Sequence, residues 1–231
     1  IGIDTFNAEE GEFLLPFNTK VISPTGLKFL IHLCGFKKSR ILTAKSYDKY
    51  LKSKTESIKP VKSNSGEWVL MFMKTNRRRI SKDGHRIFPA HILSISNLRF
   101  GSLDRQSPYR ESIADFFVKD NLLELRIPWS IAGFTDPASK LVLWQDGDEL
   151  VRKTDGIRII VVSYKPEKHS LLAVNTALPH NITDCLPEKF ELGDVKTYSW
   201  KEWQTPVYHF YLKESYYIYK NALLNISDKM R

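Results

Sequence analysis

Hydrophobic and polar positions alternate with a period of two along much of this chain. In "GLKFLIHLCG" (26–35), Leu27, Phe29, Ile31 and Leu33 share one face, and Lys28, Leu30 and His32 share the other. That spacing, bounded by glycines, predicts a strand. "EWVLMFMK" (67–74) is a continuous apolar run and predicts a buried central strand. "HILSISNLRF" (91–100) alternates again. "ADFFVKDNLLELRIPW" (114–129) predicts a hairpin turning near Lys119–Asn121, where Asp120 and Asn121 suit left-handed backbone. In its second arm Leu123, Leu125, Ile127 and Trp129 share one face, which places Trp129 on the core side. Pro128 cannot donate to a ladder and marks the strand's end. "SIAGF" then predicts a single helical turn, and "TDGIRIIVVSYKP" (154–166) a further strand.

A helical period is clearest in "SYYIYKNALLNI" (215–226). Tyr216, Tyr219, Leu223 and Ile226 fall on one face behind a capping Ser215. Many strands, turn residues between them and one terminal helix predict a mainly β fold: an antiparallel β-sandwich with a C-terminal α-helix. No βαβ alternation is visible, which argues against a nucleotide-binding α/β domain. No internal repeat is found. Residues 1–231 read as one module, with the polar stretch 46–65 as a long loop or insertion. The opening "IGIDTF" reads as already inside a strand, so the module is expected to come from a larger protein.

Composition changes this picture little. Hydrophobic residues make up 42% of the 231, enough for a sizeable core. No run approaches the roughly 18 apolar residues of a membrane span. The net charge is +9, concentrated between Lys37 and Arg86. Such basic runs read as solvated loops; binding of an anionic polymer is the alternative. The stretch lacks the interleaved aromatics of single-strand binders, which argues against nucleic acid. Cys34, in "FLIHLCGF", reads as a buried free thiol. Two cysteines lean towards a reducing, cytoplasmic compartment over an extracellular one.

The motif search yields no G-x-S-x-G, H-E-x-x-H or G-x-x-x-x-G-K, and the six histidines are scattered. No residue is assigned a catalytic role. Asp146, Asp148 and Glu149, in "DGDE", form the densest acidic cluster. They read as a solvated turn; a structural calcium site held by their oxygens is the alternative, and a transferase Asp-x-Asp the next. Aromatics carry the stronger signal, because sugar rings pack their C–H faces on flat side chains. Trp68 lies in the most apolar run and reads as core. Trp144 precedes the acidic turn and is expected to be exposed. Trp200, Trp203 and Tyr208 lie in the aromatic-rich "YSWKEWQTPVYHFYLKESYYIY" (198–219). Trp144, Trp200, Trp203 and Tyr208 are the candidate ligand-binding residues.

"NLLELRIPWSIAGFTDPAS" resembles the strand-Ile-Pro-Trp-turn segment of family nine carbohydrate-binding modules and the related dopamine-monooxygenase-N-terminal-like sandwiches. With "IGIDTF", "TDGIRI" and the Trp203–Tyr217 segment, it also resembles the uncharacterised C-terminal region of bacterial proteins carrying family-two glycosyltransferase domains. The resemblance implies a β-sandwich, often with calcium, and carbohydrate contact through paired tryptophans. The expected function is a non-catalytic accessory module that binds polysaccharide or oligosaccharide, or positions substrate. Its expected partners are the glycan and a parent catalytic domain. The alternatives are an interaction domain packing on that parent, a glycosidase or transferase fragment, and an anionic-polymer binder.

Overall fold

The computed structural model describes residues 1–17, 21–48, 57–165, 182–188, 190–203 and 214–229, with side chains of the last segment described over 215–223. The chain is mainly β, built from antiparallel sheets, with a C-terminal helix, Glu214–Lys229. A seven-stranded sheet is its frame. The order is Ile182–Leu186, Ile157–Tyr164, Gly2–Asp4, Phe29–His32, Arg40–Ala44 and Trp68–Leu70, with Thr197–Tyr198 also paired to Ile157–Tyr164.

Within Phe29–His32 alternation decides which face each side chain takes, whereas Leu27, expected beside Phe29 and Ile31, takes the other side because the strand breaks at Lys28. Phe29, Ile31 and Ile41 enter one core cluster with Ile3, Met71 and Phe116. Leu30, Leu42 and Ile160 enter another, with Leu15, Leu27 and Val195. The sheet is therefore covered on both faces, which is the sandwich-like arrangement the pattern predicts. The first cover includes the hairpin Phe116–Lys119/Leu122–Leu125 and residues of the three-stranded sheet Phe134–Asp136, Leu141–Asp146, Glu149–Lys153. The second includes the hairpin Glu12–Leu14/Ile22–Leu27.

The hairpin at 116–125 forms with Lys119 opposite Leu122, and Asp120 takes a positive φ of 52° at the turn. Leu125 and Ile127 pack against the core, but Leu123 does not and is exposed.

"EWVLMFMK" is not a central strand. Trp68–Leu70 sits at the edge of the seven-stranded sheet. Met71 N–H then donates to Ser96 Oγ (2.6 Å), and the chain leaves the sheet. Phe72–Asn76 pairs instead with His91–Ser94, and Arg79–Ile80 with Ile87–Phe88. The result is a two-stranded arm in which every residue from 73 to 94 except Ser81 is exposed. Of "HILSISNLRF", only His91–Ser94 is strand.

Cys34 is exposed rather than buried, because Gly35 (φ 71°) turns the chain outward into the short helix Gly35–Lys38. The C-terminal helix forms, but all its described side chains are exposed, including Tyr216, Tyr219 and Leu223. Ile226 lies outside the described side chains. Within 46–65, residues 49–56 lie outside the described set. Ile58 returns to the core and exchanges two backbone hydrogen bonds with Gln145 (2.8 and 2.9 Å). Among the described residues no helix is long and apolar enough to cross a membrane.

Lys28 lies between the strands Ile22–Leu27 and Phe29–His32 and is fully buried. Its ammonium shares three N–H groups among four oxygens within hydrogen-bond distance, Asp4 Oδ1 (2.7 Å) and the carbonyls of Asn7 (2.6 Å), Glu10 (2.5 Å) and Gly26 (2.9 Å). Asp4, also fully buried, accepts in addition from Thr25 Oγ1, Arg158 and Phe6 N–H. These bonds compensate the removal of both charges from water. A Cβ at Gly26 would lie 2.1 Å from the Glu10 carbonyl oxygen, so glycine is what lets that loop approach.

Candidate functional site

Pro128 ends the alternation, and with it the inward direction of Trp129. The Pro128 carbonyl accepts from Ile131 N–H (2.9 Å) and Ala132 N–H (3.1 Å), giving the single turn the sequence predicts. Gly133, at φ 82°, closes that turn. The turn carries Trp129 outward to 41% exposure, contrary to its expected place on the core face. The Trp129 carbonyl accepts from Phe134 N–H (2.9 Å), which fixes the backbone beneath the ring.

Three further rings gather there. Phe134, buried with Ala132 and Val142, meets Trp129 edge-on at 4.9 Å. Trp200 lies 5.2 Å from Trp129 at an interplanar angle of 51° and 5.6 Å from Phe134. Its indole N–H donates to the Pro137 carbonyl (2.9 Å), so the ring's orientation is set at both ends. Tyr198, 65% exposed, is 6.0 Å from Trp200. Lys140 places its ammonium 5.7 Å from the Trp200 ring centre and donates to Ser199 Oγ (2.9 Å). Glu202, at the same edge of the chain, is paired with Lys153, whose hydrogen bond holds the carboxyl below its usual range. The outcome is an angled pair of indoles and an exposed phenol on a buried apolar base, with an ammonium and a hydroxyl at the rim.

The other candidates lie elsewhere. Trp144 is buried at 3% exposure, not exposed as expected. The strand Leu141–Asp146 turns Val142 and Trp144 to the same inward face, and the chain reverses only at Gly147. The Trp144 ring packs on Phe6 at 5.1 Å, and the Arg152 guanidinium covers it at 3.9 Å. Its N–H has no acceptor among the described residues. Trp203 is 47% exposed and joins no ring pair among the described residues. Tyr208 lies outside the described residues.

Asp146 and Glu149 face each other across the turn, and each has its own cation. Lys59 donates to Asp146 (2.6 Å) and Arg152 to both oxygens of Glu149 (2.8 and 2.7 Å). These bonds hold both carboxyls below the usual range. Asp148 is exposed at the turn. Among the described residues no three of His, Cys, Asp and Glu gather as metal ligands. A cavity of about 40 Å³ beside His32 and Tyr164, whose polar atoms meet at 2.7 Å, has room for only a few waters.

The aromatic site therefore contains one residue singled out as a ligand candidate, Trp200, and two that were not. The two-residue period that points Trp129 inward belongs to a strand that ends at Leu125, and Pro128 is the signal in the sequence that the period does not reach Trp129. Tyr198 carries no local signal, because its place depends on pairing with Ile157 across the sheet. No protein-family model, curated protein or solved structure matches the chain.

Proposed function

We propose that this chain is a non-catalytic carbohydrate-binding module whose ligand stacks on Trp129, Trp200 and Tyr198. The observation that carries the reading is the Trp129–Trp200 pair, Trp129 exposed and Trp200 half-buried, fixed from below by Phe134 and by the Trp200–Pro137 hydrogen bond. Sugar C–H faces pack on such rings, and a rigid ring loses little entropy on binding. Ser199 and Lys140 supply a hydroxyl and an ammonium for sugar oxygens. The paired tryptophans implied by the carbohydrate-module resemblance support the same reading. A parent glycosyltransferase domain is the proposed protein partner, with the exposed Ile218 and Leu223 of the C-terminal helix as a contact face.

The test is a glycan array followed by titration calorimetry on the best ligand. Binding is expected to fall by about tenfold or more in Trp129→Ala, the rough worth of one ring contact. Its melting temperature should fall only a few degrees, as befits a half-exposed ring, at about 1–2 kcal/mol. Absence of binding to every glycan, or undiminished binding by Trp129→Ala, would overturn the reading.

A further inference from the structure

The arm spanning residues 72–94 carries a second surface, unrelated to the aromatic site. Its cations are Lys74, Arg77, Arg78, Arg79, Lys82 and Arg86, against one carboxylate, Asp83. Asp83 bonds Ser81 and His85 N–H rather than any of these cations. Among the described residues none of the six cationic heads has a carboxylate or carbonyl partner. Between them stand exposed apolar side chains: Met73, Ile80, Ile87, Phe88, Ile92 and Leu93.

The strand register shows how these groups are distributed. Met73 sits opposite Leu93, and Lys74 opposite Ile92, so the two pairs take opposite faces of the ribbon. Nearer the tip, Ile80 sits opposite Ile87 on one face and Arg79 opposite Phe88 on the other. At each end of the arm one face thus carries an apolar pair, Met73–Leu93 or Ile80–Ile87, and the other joins a cation to an apolar group, Lys74–Ile92 or Arg79–Phe88. A rigid partner docked on one face would leave the other face's apolar groups in water. Nucleic acid would use the cations but would leave most of the aliphatic groups idle, and of the arm's two phenyl rings, Phe72 and Phe88, only Phe88 is exposed for stacking. An anionic lipid surface meets both faces at once, with phosphate heads for the cations and hydrocarbon just below them.

We propose that this arm docks the protein on anionic lipid bilayers. The tip of the ribbon enters to headgroup depth, with Ile80, Ile87 and Phe88 facing the acyl boundary while Arg78, Arg79 and Lys82 hold lipid phosphates. It goes no deeper, because the outer edges of a two-stranded ribbon carry unpaired N–H and C=O groups that hydrocarbon cannot satisfy.

The test is co-sedimentation of the whole chain with vesicles of phosphatidylcholine alone and with added phosphatidylglycerol, at low and high salt. Binding is expected only with the anionic lipid and should weaken with salt. Each cation removed in Arg78→Gln/Arg79→Gln should cost about fivefold in affinity. Ile80→Ser/Ile87→Ser should weaken binding as well, and both variants should keep the wild-type melting temperature. A Phe88→Trp variant should shift its fluorescence to the blue on anionic vesicles. Failure to sediment with anionic vesicles, binding of duplex DNA in their place, or the absence of a blue shift would each overturn the proposal. None of these readouts depends on glycan binding.

Discussion

Four oxygens hold the Lys28 ammonium, which has no water-facing surface to compensate for their loss. Lys28→Met keeps the volume but leaves the buried Asp4 carboxylate to Arg158, Thr25 and Phe6 N–H and takes the ammonium from three carbonyls. Unfolding by urea should show a loss of roughly 3–5 kcal/mol, the usual result of removing one partner of a buried pair. Alternation groups Lys28 with Leu30 and His32, and no local signal marks its ammonium as covered, because its carbonyl acceptors come from residues 7 and 10 in a loop and residue 26 at the end of the preceding strand. Trp129 is the reverse case. A period of two is information about a ladder, and this ladder ends at Leu125, four residues before Trp129. Trp144 departs from its expected exposure for a related reason: the chain reverses only at Gly147, so the position of Trp144 is still governed by strand alternation.

Elements were legible where their contacts are local. The hairpin at 116–125 follows from an apolar alternation and an Asp-Asn turn, and the helix at Glu214–Lys229 from a 3.6 period. The arm was not legible, because a continuous apolar run reads the same in a central strand and in one that departs; the decision rests on Met71 bonding Ser96, 25 residues away. Long-range ties of this kind also hold the hairpin Glu12–Leu14/Ile22–Leu27. Glu12 accepts from Leu14 N–H (3.0 Å), Gly66 N–H (3.1 Å) and Ser65 Oγ (2.8 Å). Burial alone would raise its pKa, but the hydrogen bonds from Ser63, Gly66, Leu14 and Ser65 outweigh it and hold the carboxyl below its ordinary 4.5. A depressed folded pKa stabilises above the unfolded value, and that stability is lost as pH falls through the folded one. Glu12→Gln should therefore be less stable than wild type at neutral pH by about 1–2 kcal/mol. The gap should narrow as the medium is acidified below pH 4.5, read from urea midpoints across that range.

At the scale of the molecule, a covered sheet and an uncovered arm make different demands. The two core clusters hold the seven-stranded sheet without contribution from the exposed residues 73–94. Replacing 77–88 by an Asn-Gly turn should leave the melting temperature within about 3 °C of wild type, since exposed changes rarely exceed 0.5 kcal/mol. A larger fall in calorimetry would show that the arm is part of the cooperative unit. The buried cation acts on the same scale. It joins residue 4 to residues 7, 10 and 26, and Arg158 reaches the same carboxylate from the neighbouring strand. Because this cation is covalently part of the chain, it has no dissociation constant, and no chelator or dilution can strip it. That junction forms and dissolves only with the protein itself.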